Sequence, residues 1–595
     1  MEVRRSQGRL VVETASLVLA VNPDPLSFDV SSRDRSIQLK GARPAVDVRG
    51  ELLYAGRMLG QDFAPVSGTP QTARIETRAR CGNSLELTLT LVVEEQAPGL
   101  IVDLRVSNLG RVPVPIRRLL PLRVDRGLGG DVKLPFSFEE LLFYRMGYQS
   151  WTPAGYAPLK ERQRRSRLAF VRRMHESPFT PSPRTGLQVS DFVTTLRSSE
   201  RPAVTLGFLT HRRFLNHIAL MHQRAEVSAI EAAVAAEEHP LVPEGSLEAE
   251  RLWLGIDPRG TDGLATWAER TGKEMQAPVP APVGTGWCSW YEFFTGVTAK
   301  DVERNVEALA PFGSIETIQI DDGYQAAVGD WLEWDPEFPD GVAPLAARIR
   351  SAGFRAGIWL APFLVSRASR VAQDHPGWLL RSEAGRPIVA NINPAWKGSI
   401  CYALDPTHPE VLDWLARTVA TLRRHGFDYL KLDFLYAGAL HGRRHEQAQP
   451  TAAAYRTAIE TIREAAGPDP FLLGCGAPLG PSIGLFEGMR IGPDVAPRWR
   501  TRLDTIIGIP AAPSARNAVR NVLSRAPLHQ RLWINDPDCV LLRDGQTRLT
   551  EDEVRTVAAA AFASGGLILL SDDLAHLSSE RQRLLERLLP PLGTP

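Results

Sequence analysis

The 595-residue sequence predicts an α/β and β protein, a large N-terminal β-sandwich followed by a (β/α)8 TIM-like barrel. Three observations predict it. Up to residue 276 apolar residues tend to alternate with polar ones, and after residue 284 short apolar runs alternate with amphipathic helical patterns. Between the two regions lies APVPAPV, residues 277–283, a proline-punctuated connector. The predicted organisation is therefore a sandwich domain over 1–276, a linker over 277–283 and a barrel over 284–595.

In the first region, LELTLTLVV (Leu85 to Val93) begins with strict alternation, as a half-buried antiparallel strand does. LIVDLRVSN and AVTLGFLTH follow the same rule, and no helical period dominates before Leu264. Eight apolar runs follow the linker: 286–290, 317–324, 356–363, 429–434, 471–478, 489–494, 532–538 and 566–573. Helical patterns separate most of them. Thr298 and Asp301 have capping-box spacing ahead of Val302, Val306 and Leu309 on one face. Leu412, Leu415, Val419 and Leu422 form a second such face, with Gly426 placed to end the helix. Only LGPSIGLFEG separates the fifth and sixth runs, which predicts a stubby or missing helix there.

Composition excludes several partners. With 69 basic against 68 acidic residues the formal charge is +1, which predicts neither a nucleic-acid nor a membrane-surface partner. No stretch approaches about 18 consecutive apolar residues, and the N-terminal segment has no uninterrupted apolar core with a cleavage site. The five cysteines are scattered, without CxxC or metal-type spacing, so reduced thiols and a cytoplasmic location are expected.

The ends of the apolar runs collect polar residues, where a barrel enzyme keeps its chemistry. Lys431 and Asp433, two apart in YLKLDF, share one strand face. Either they form a buried ion pair that holds the barrel, or the ammonium lowers the pKa of a carboxylate nucleophile. Asp494 follows Gly492 and Pro493 two strands further on, and two carboxyls facing one substrate are what a glycosidase needs. Asp321 and Asp322 repel each other unless donors such as sugar hydroxyls satisfy them. A metal would need a third ligand, and none stands at matching spacing. Asp536 and Asp538 end the seventh run. Of the many aromatics near these ends, Trp359 is the one placed for ligand contact.

GWCSWYEFF, QIDDGYQ, GDWLEWDPEFPDG, AGIWLAPF, HPGWLL, YALDPTHPEV and YLKLDF, in that order, resemble the barrel of glycoside hydrolase family 36, the α-galactosidases and their relatives, over residues 284 to 573. The resemblance implies a retaining α-galactosidase with Asp433 as nucleophile and Asp494 as acid/base. It implies substrate binding by Asp321, Asp322, Trp359, Lys431 and Cys475, with no metal and no cofactor. The implied partner is an α-galactoside oligosaccharide or glycoconjugate, and a homo-oligomer is left open. Departures are Tyr324 in place of the usual tryptophan, Ala361 and Phe363 in place of glutamates, GAPLGPSIG after Cys475, and Ser399 in place of an arginine. The chain ends soon after its eighth run, which implies that the family's C-terminal β-domain is missing or trimmed. Other readings within reach are an α-N-acetylgalactosaminidase, a transglycosidase of the raffinose-synthase type, and a carbohydrate-binding protein without catalysis.

Overall fold

The computed structural model describes residues 1–6, 8–65, 71–95, 99–199, 202–256, 262–278, 284–502 and 510–589. Residues 279–283 of the expected linker lie outside them. The chain forms two compact units. The first comprises Met1–Met146, Gly155–Arg164 and Phe179–Met275; the second comprises Gly147–Ala154, Arg165–Pro178 and everything from Gln276 onward.

The first unit is built on two sheets, of 11 and 10 strands, paired antiparallel throughout. Leu85–Glu94 shows how the sequence makes them. Leu85, Leu87, Leu89, Leu91 and Val93 are buried, and most of the residues between them are not. They share one apolar core with Leu17, Leu19 and Val21 of the other sheet. The helix expected near Leu264 is Gly263–Met275.

The second unit carries a sheet of nine parallel strands. Its spatial order is Ile534–Asp536, Gly488–Arg490, Phe471–Gly474, Tyr429–Leu432, Arg355–Leu360, Thr317–Ile320, Thr285–Cys288, Ile568–Leu570 and Cys539–Val540. The two outermost strands are separated in sequence only by Pro537 and Asp538. Helix Ala299–Leu309 starts with the expected capping box: Thr298 Oγ1 accepts from Asp301 N–H, and Asp301 Oδ2 accepts from Thr298 N–H. Helix Pro409–Arg424 ends ahead of Gly426, whose φ of 100° suits a residue without Cβ. Between the fifth and sixth runs the helix is only Leu479–Ser482. After the third run the chain detours through a small antiparallel sheet, Leu364–Ser366, Val389–Ile392 and Ile400–Ala403, before that helix begins. Among the described residues no helix is long and apolar enough to cross a membrane.

Two segments from the first half of the sequence belong to the second unit, and one short helix there, Ala169–His175, carries no sequence period that announces it. Helix Ala515–Arg525 ties down the segment Gly147–Ala154. Asn521 Nδ2 donates to the Ser150 and Thr152 carbonyls, and Arg525, fully buried, donates to the carbonyls of Gln149, Ser150, Thr152 and Ile491. The segment in turn sets Trp151 edge-on against Phe434, 5.2 Å between centroids. Replacing Arg525 by Met orphans buried carbonyls, so Arg525→Met should destabilise the protein by about 2–4 kcal/mol. A melting curve and amide exchange check it: the midpoint should fall and the Gly147–Ala154 amides should exchange first. An unchanged midpoint contradicts this anchoring role.

Candidate active site

Strand Tyr429–Leu432 lies between Arg355–Leu360 and Phe471–Gly474, with Lys431 in register with Trp359 on one side and Leu473 on the other. Period-two alternation turns Lys431 and Asp433 to the same face. Asp433 still donates its N–H to the Leu360 carbonyl (2.9 Å), but the next residue leaves the strand. Phe434 takes φ 52°, a left-handed conformation that costs a residue with a Cβ, and its N–H donates back to Asp433 Oδ1 at 2.7 Å. Trp359 Nε1–H donates to Asp433 Oδ2 at 3.1 Å. Both oxygens of Asp433 are therefore fixed in direction.

Lys431 is buried, and its nearest carboxylate is Asp321 at 2.9 Å rather than Asp433 at 3.9 Å. Burial pulls the ammonium down, yet Asp321 and Asp433 outweigh it and hold Lys431 well above the ordinary lysine range. The sequence pair Lys431 and Asp433 is thus part of a triad that includes a residue from another strand end.

The adjacent carboxylates Asp321 and Asp322 have protein donors. Asp321 Oδ2 accepts from Lys431 and Gln319, with the Cys288 thiol at 3.4 Å, and its Oδ1 accepts from Asp322 N–H. Asp322 accepts from Gln325 Nε2 and from Trp396 Nε1, each at 2.6 Å. Burial lifts Asp322 to about 6, and the charges of Asp321 and Asp433 add to the lift against these two hydrogen bonds.

Asp494 follows strand Gly488–Arg490 and differs from the others in its exposure. Its side chain keeps 39% of its surface open, against 10% for Asp433 and 2% for Asp321. Desolvation comes first in raising it to about 7, with Asp538 and Asp433 adding to the rise and Arg490 opposing it; the open face lets water temper the shift. Arg490 is buried and touches three carboxylates: Asp494 at 3.2 Å, Asp536 at 2.8 Å and Asp538 at 3.0 Å. Asp538 is fixed further by Tyr291 O–H and Val495 N–H. Asp536 and Asp538, the other carboxyls at this side of the sheet, are fully enclosed.

The structure brings together Asp321, Asp322, Trp359, Lys431 and Asp433 by direct contact, and Asp494 and Cys475 lie within electrostatic reach of Asp433. Trp359 and Cys475 are both buried; the indole N–H is committed to Asp433, and burial raises the thiol far above its ordinary range. Tyr324 donates its hydroxyl to the Trp359 carbonyl at 3.0 Å. Sequence reasoning missed Trp396, Gln325, Gln319 and Arg490. Trp396 sits in the turn between Val389–Ile392 and Ile400–Ala403, whose closure rests on left-handed Gly398 and Ser399. Arg490 alone carried a signal, as a charge inside the apolar run MRIGPD.

The melibiase family model matches residues 295–464. Among curated proteins, an α-galactosidase of Escherichia coli is 28% identical over 188 residues, 30% of this chain and 25% of its own length. An α-galactosidase of Pediococcus pentosaceus is 26% identical over 207 residues, 33% of this chain and 27% of its own. The chain thus spans about a quarter of the length of these curated relatives. Among solved structures, the α-galactosidase TtGalA of Thermus thermophilus, in complex with stachyose, is 32% identical with a TM-score of 0.66, covering 87% of this chain and 99% of that one. The α-galactosidase AgaA of Geobacillus stearothermophilus matches at 14% identity and a TM-score of 0.65 over 98% of this chain and 87% of its own, a likeness of fold.

The carboxyl shifts have a consequence for stability. Asp494 and Asp322 hold their protons more tightly folded than unfolded, because about 7 and about 6 both exceed the ordinary 3.8. The folded state therefore binds more protons than the unfolded one between roughly pH 4 and pH 7, and stability falls as pH rises through that window. Asp494→Asn mimics the protonated form. Its melting midpoint should exceed the parent's above about pH 7 and the gap should close toward pH 4. A gap that does not change with pH contradicts the raised carboxyl.

Proposed function

The chain belongs to glycoside hydrolase family 36, and from that premise we propose that it is a retaining α-galactosidase acting on terminal α-galactosides. One observation carries the reading: two carboxyls at strand ends two strands apart have different surroundings. Asp433 accepts from Phe434 N–H and Trp359 Nε1–H, with the Lys431 ammonium 3.9 Å away, so its oxygens are fixed in direction as a nucleophile's must be. Asp494 is raised toward neutrality and open to solvent, which favours a proton donor.

In this reading Asp433 attacks the anomeric carbon while Asp494 gives its proton to the departing oxygen. Asp494, now a base, activates the water that releases galactose from the covalent intermediate. Asp321 and Asp322 take the sugar 4- and 6-hydroxyls, as the family resemblance implies, with Trp396 and Gln325 holding Asp322 in place. Lys431 has a third N–H beyond those facing Asp321 and Asp433, free to meet another hydroxyl. The nine-strand order supports an eight-stranded closed barrel, since the two outer strands are halves of one run interrupted at Pro537 and Asp538. The five cysteines are buried as thiols, which supports a cytoplasmic location.

An aryl-glycoside panel tests the function on the parent and on Asp494→Ala. The parent should cleave α-galactosides at least about 100-fold faster than α-glucosides, because the wrong epimer leaves buried polar groups unpaired. Comparable rates, or a preference for α-N-acetylgalactosaminides, overturn the substrate assignment. Asp494→Ala should lose the alkaline limb of the pH profile and slow poor leaving groups far more than dinitrophenolate. An equal slowing of all substrates overturns the acid/base role.

A further inference from the structure

A second polar site lies in the same unit. A cavity of about 320 Å³ is walled by the chain around Gly377–Arg381, by the approach to helix Pro409–Arg424, and by the stretch Arg443–Gln447 that follows the strand of Asp433. Its volume is near the lower end of cavities that hold small molecules, about 300–1,000 Å³. Its polar lining is mainly cationic: Arg381, Arg443 and Arg444, with His408 and His445, against one carboxylate, Asp405.

That carboxylate is committed to its own loop rather than to Arg381 or Arg443. Asp405 Oδ1 accepts from Thr407 N–H (2.9 Å) and Thr407 O–H (2.7 Å), and its Oδ2 accepts from His445 N–H, so both oxygens serve to shape the loop. Arg381 and Arg443 face each other across an isolated antiparallel bridge, with Arg443 N–H donating to the Arg381 carbonyl at 2.7 Å. Residues directly opposite in such a bridge project to one side, and like charges there are destabilising unless something lies between them. Among the described residues no carboxylate forms an ion pair with either. Arg381 donates only to the carbonyls of Gly385 (2.9 Å) and Pro376 (2.8 Å), which fix its fork without cancelling its charge.

The histidines complete the arrangement. His408 caps helix Pro409–Arg424, and its Nδ1 accepts from Glu410 N–H. A neutral His408 therefore carries its proton on Nε2, a donor. The His445 ring lies 5.1 Å from it. Guanidinium forks and an imidazole donor are groups that bind phosphate.

We propose that this cavity is a binding site for a phosphate group, free or carried on a monosaccharide. It does not rest on the galactosidase reading, because binding is read without turnover. Calorimetric titration of the full chain with inorganic phosphate and with glucose 6-phosphate, which carries no galactosyl group, tests it, on the parent, Arg443→Gln, Arg381→Gln and Asp321→Asn. Both arginine variants should weaken binding about tenfold or more, each having lost a charge-assisted contact. Asp321→Asn, changed at the strand-end site, should bind like the parent. Tighter binding of the sugar phosphate identifies an ester as the ligand; equal binding identifies free phosphate. Arg443 is exposed, so Arg443→Gln should fold and keep the parent's phosphate-free hydrolysis rate, which separates lost binding from lost structure. Absence of binding by either probe overturns the proposal, as does unchanged binding in Arg443→Gln or its loss in Asp321→Asn.

Discussion

A single buried ammonium organises the strand-end site. Lys431 has almost no access to water, and an unpaired charge there would cost several kcal/mol. It is stable only because Asp321 and Asp433 converge on it from two other points of the sheet's rim. That convergence requires the strands Thr317–Ile320, Arg355–Leu360 and Tyr429–Leu432 to hold one register, with Ile320 beside Ile358 and Trp359 beside Lys431. A slip of one residue would turn Lys431 to the opposite face and leave the carboxylates to repel each other. Trp359 reinforces the arrangement from the side by donating to Asp433.

A second buried cation gathers another group of carboxylates. Arg490 joins Asp494, Asp536 and Asp538, and the two enclosed aspartates take most of its charge. Asp494 is left with the weakest contact and with water on one side. Two buried cations, two strands apart, thus each stand beside one of the two carboxyls. Donors gather around Asp433, whereas partial burial and the charge of Asp538 raise the Asp494 carboxyl against the opposing charge of Arg490.

Local features were legible in the sequence because local physics determines them. The Thr298–Asp301 box, the glycine after helix Pro409–Arg424 and the stub at Leu479–Ser482 follow from spacing alone. The shared face of Lys431 and Asp433 follows from the strand period. Its meaning did not follow, because Lys431's nearest partner comes from a strand 110 residues earlier. Trp396 was illegible for a related reason: it reaches Asp322 from the turn of a small sheet that no periodicity marks. The segment Gly147–Ala154 also escaped notice, since its membership of the second unit rests on Asn521 and Arg525 donating to backbone carbonyls, which every residue possesses.

The geometry around Lys431 supports Asp433 as the group that bonds to the sugar. It is tested most directly by trapping the intermediate. Incubation with 5-fluoro-α-galactosyl fluoride should slow release of the sugar relative to its attachment, and peptide mapping by mass spectrometry then locates the ester. One fluorogalactosyl ester is expected, on Asp433. An ester on Asp494 or Asp321, or turnover of the reagent without any ester, would contradict it.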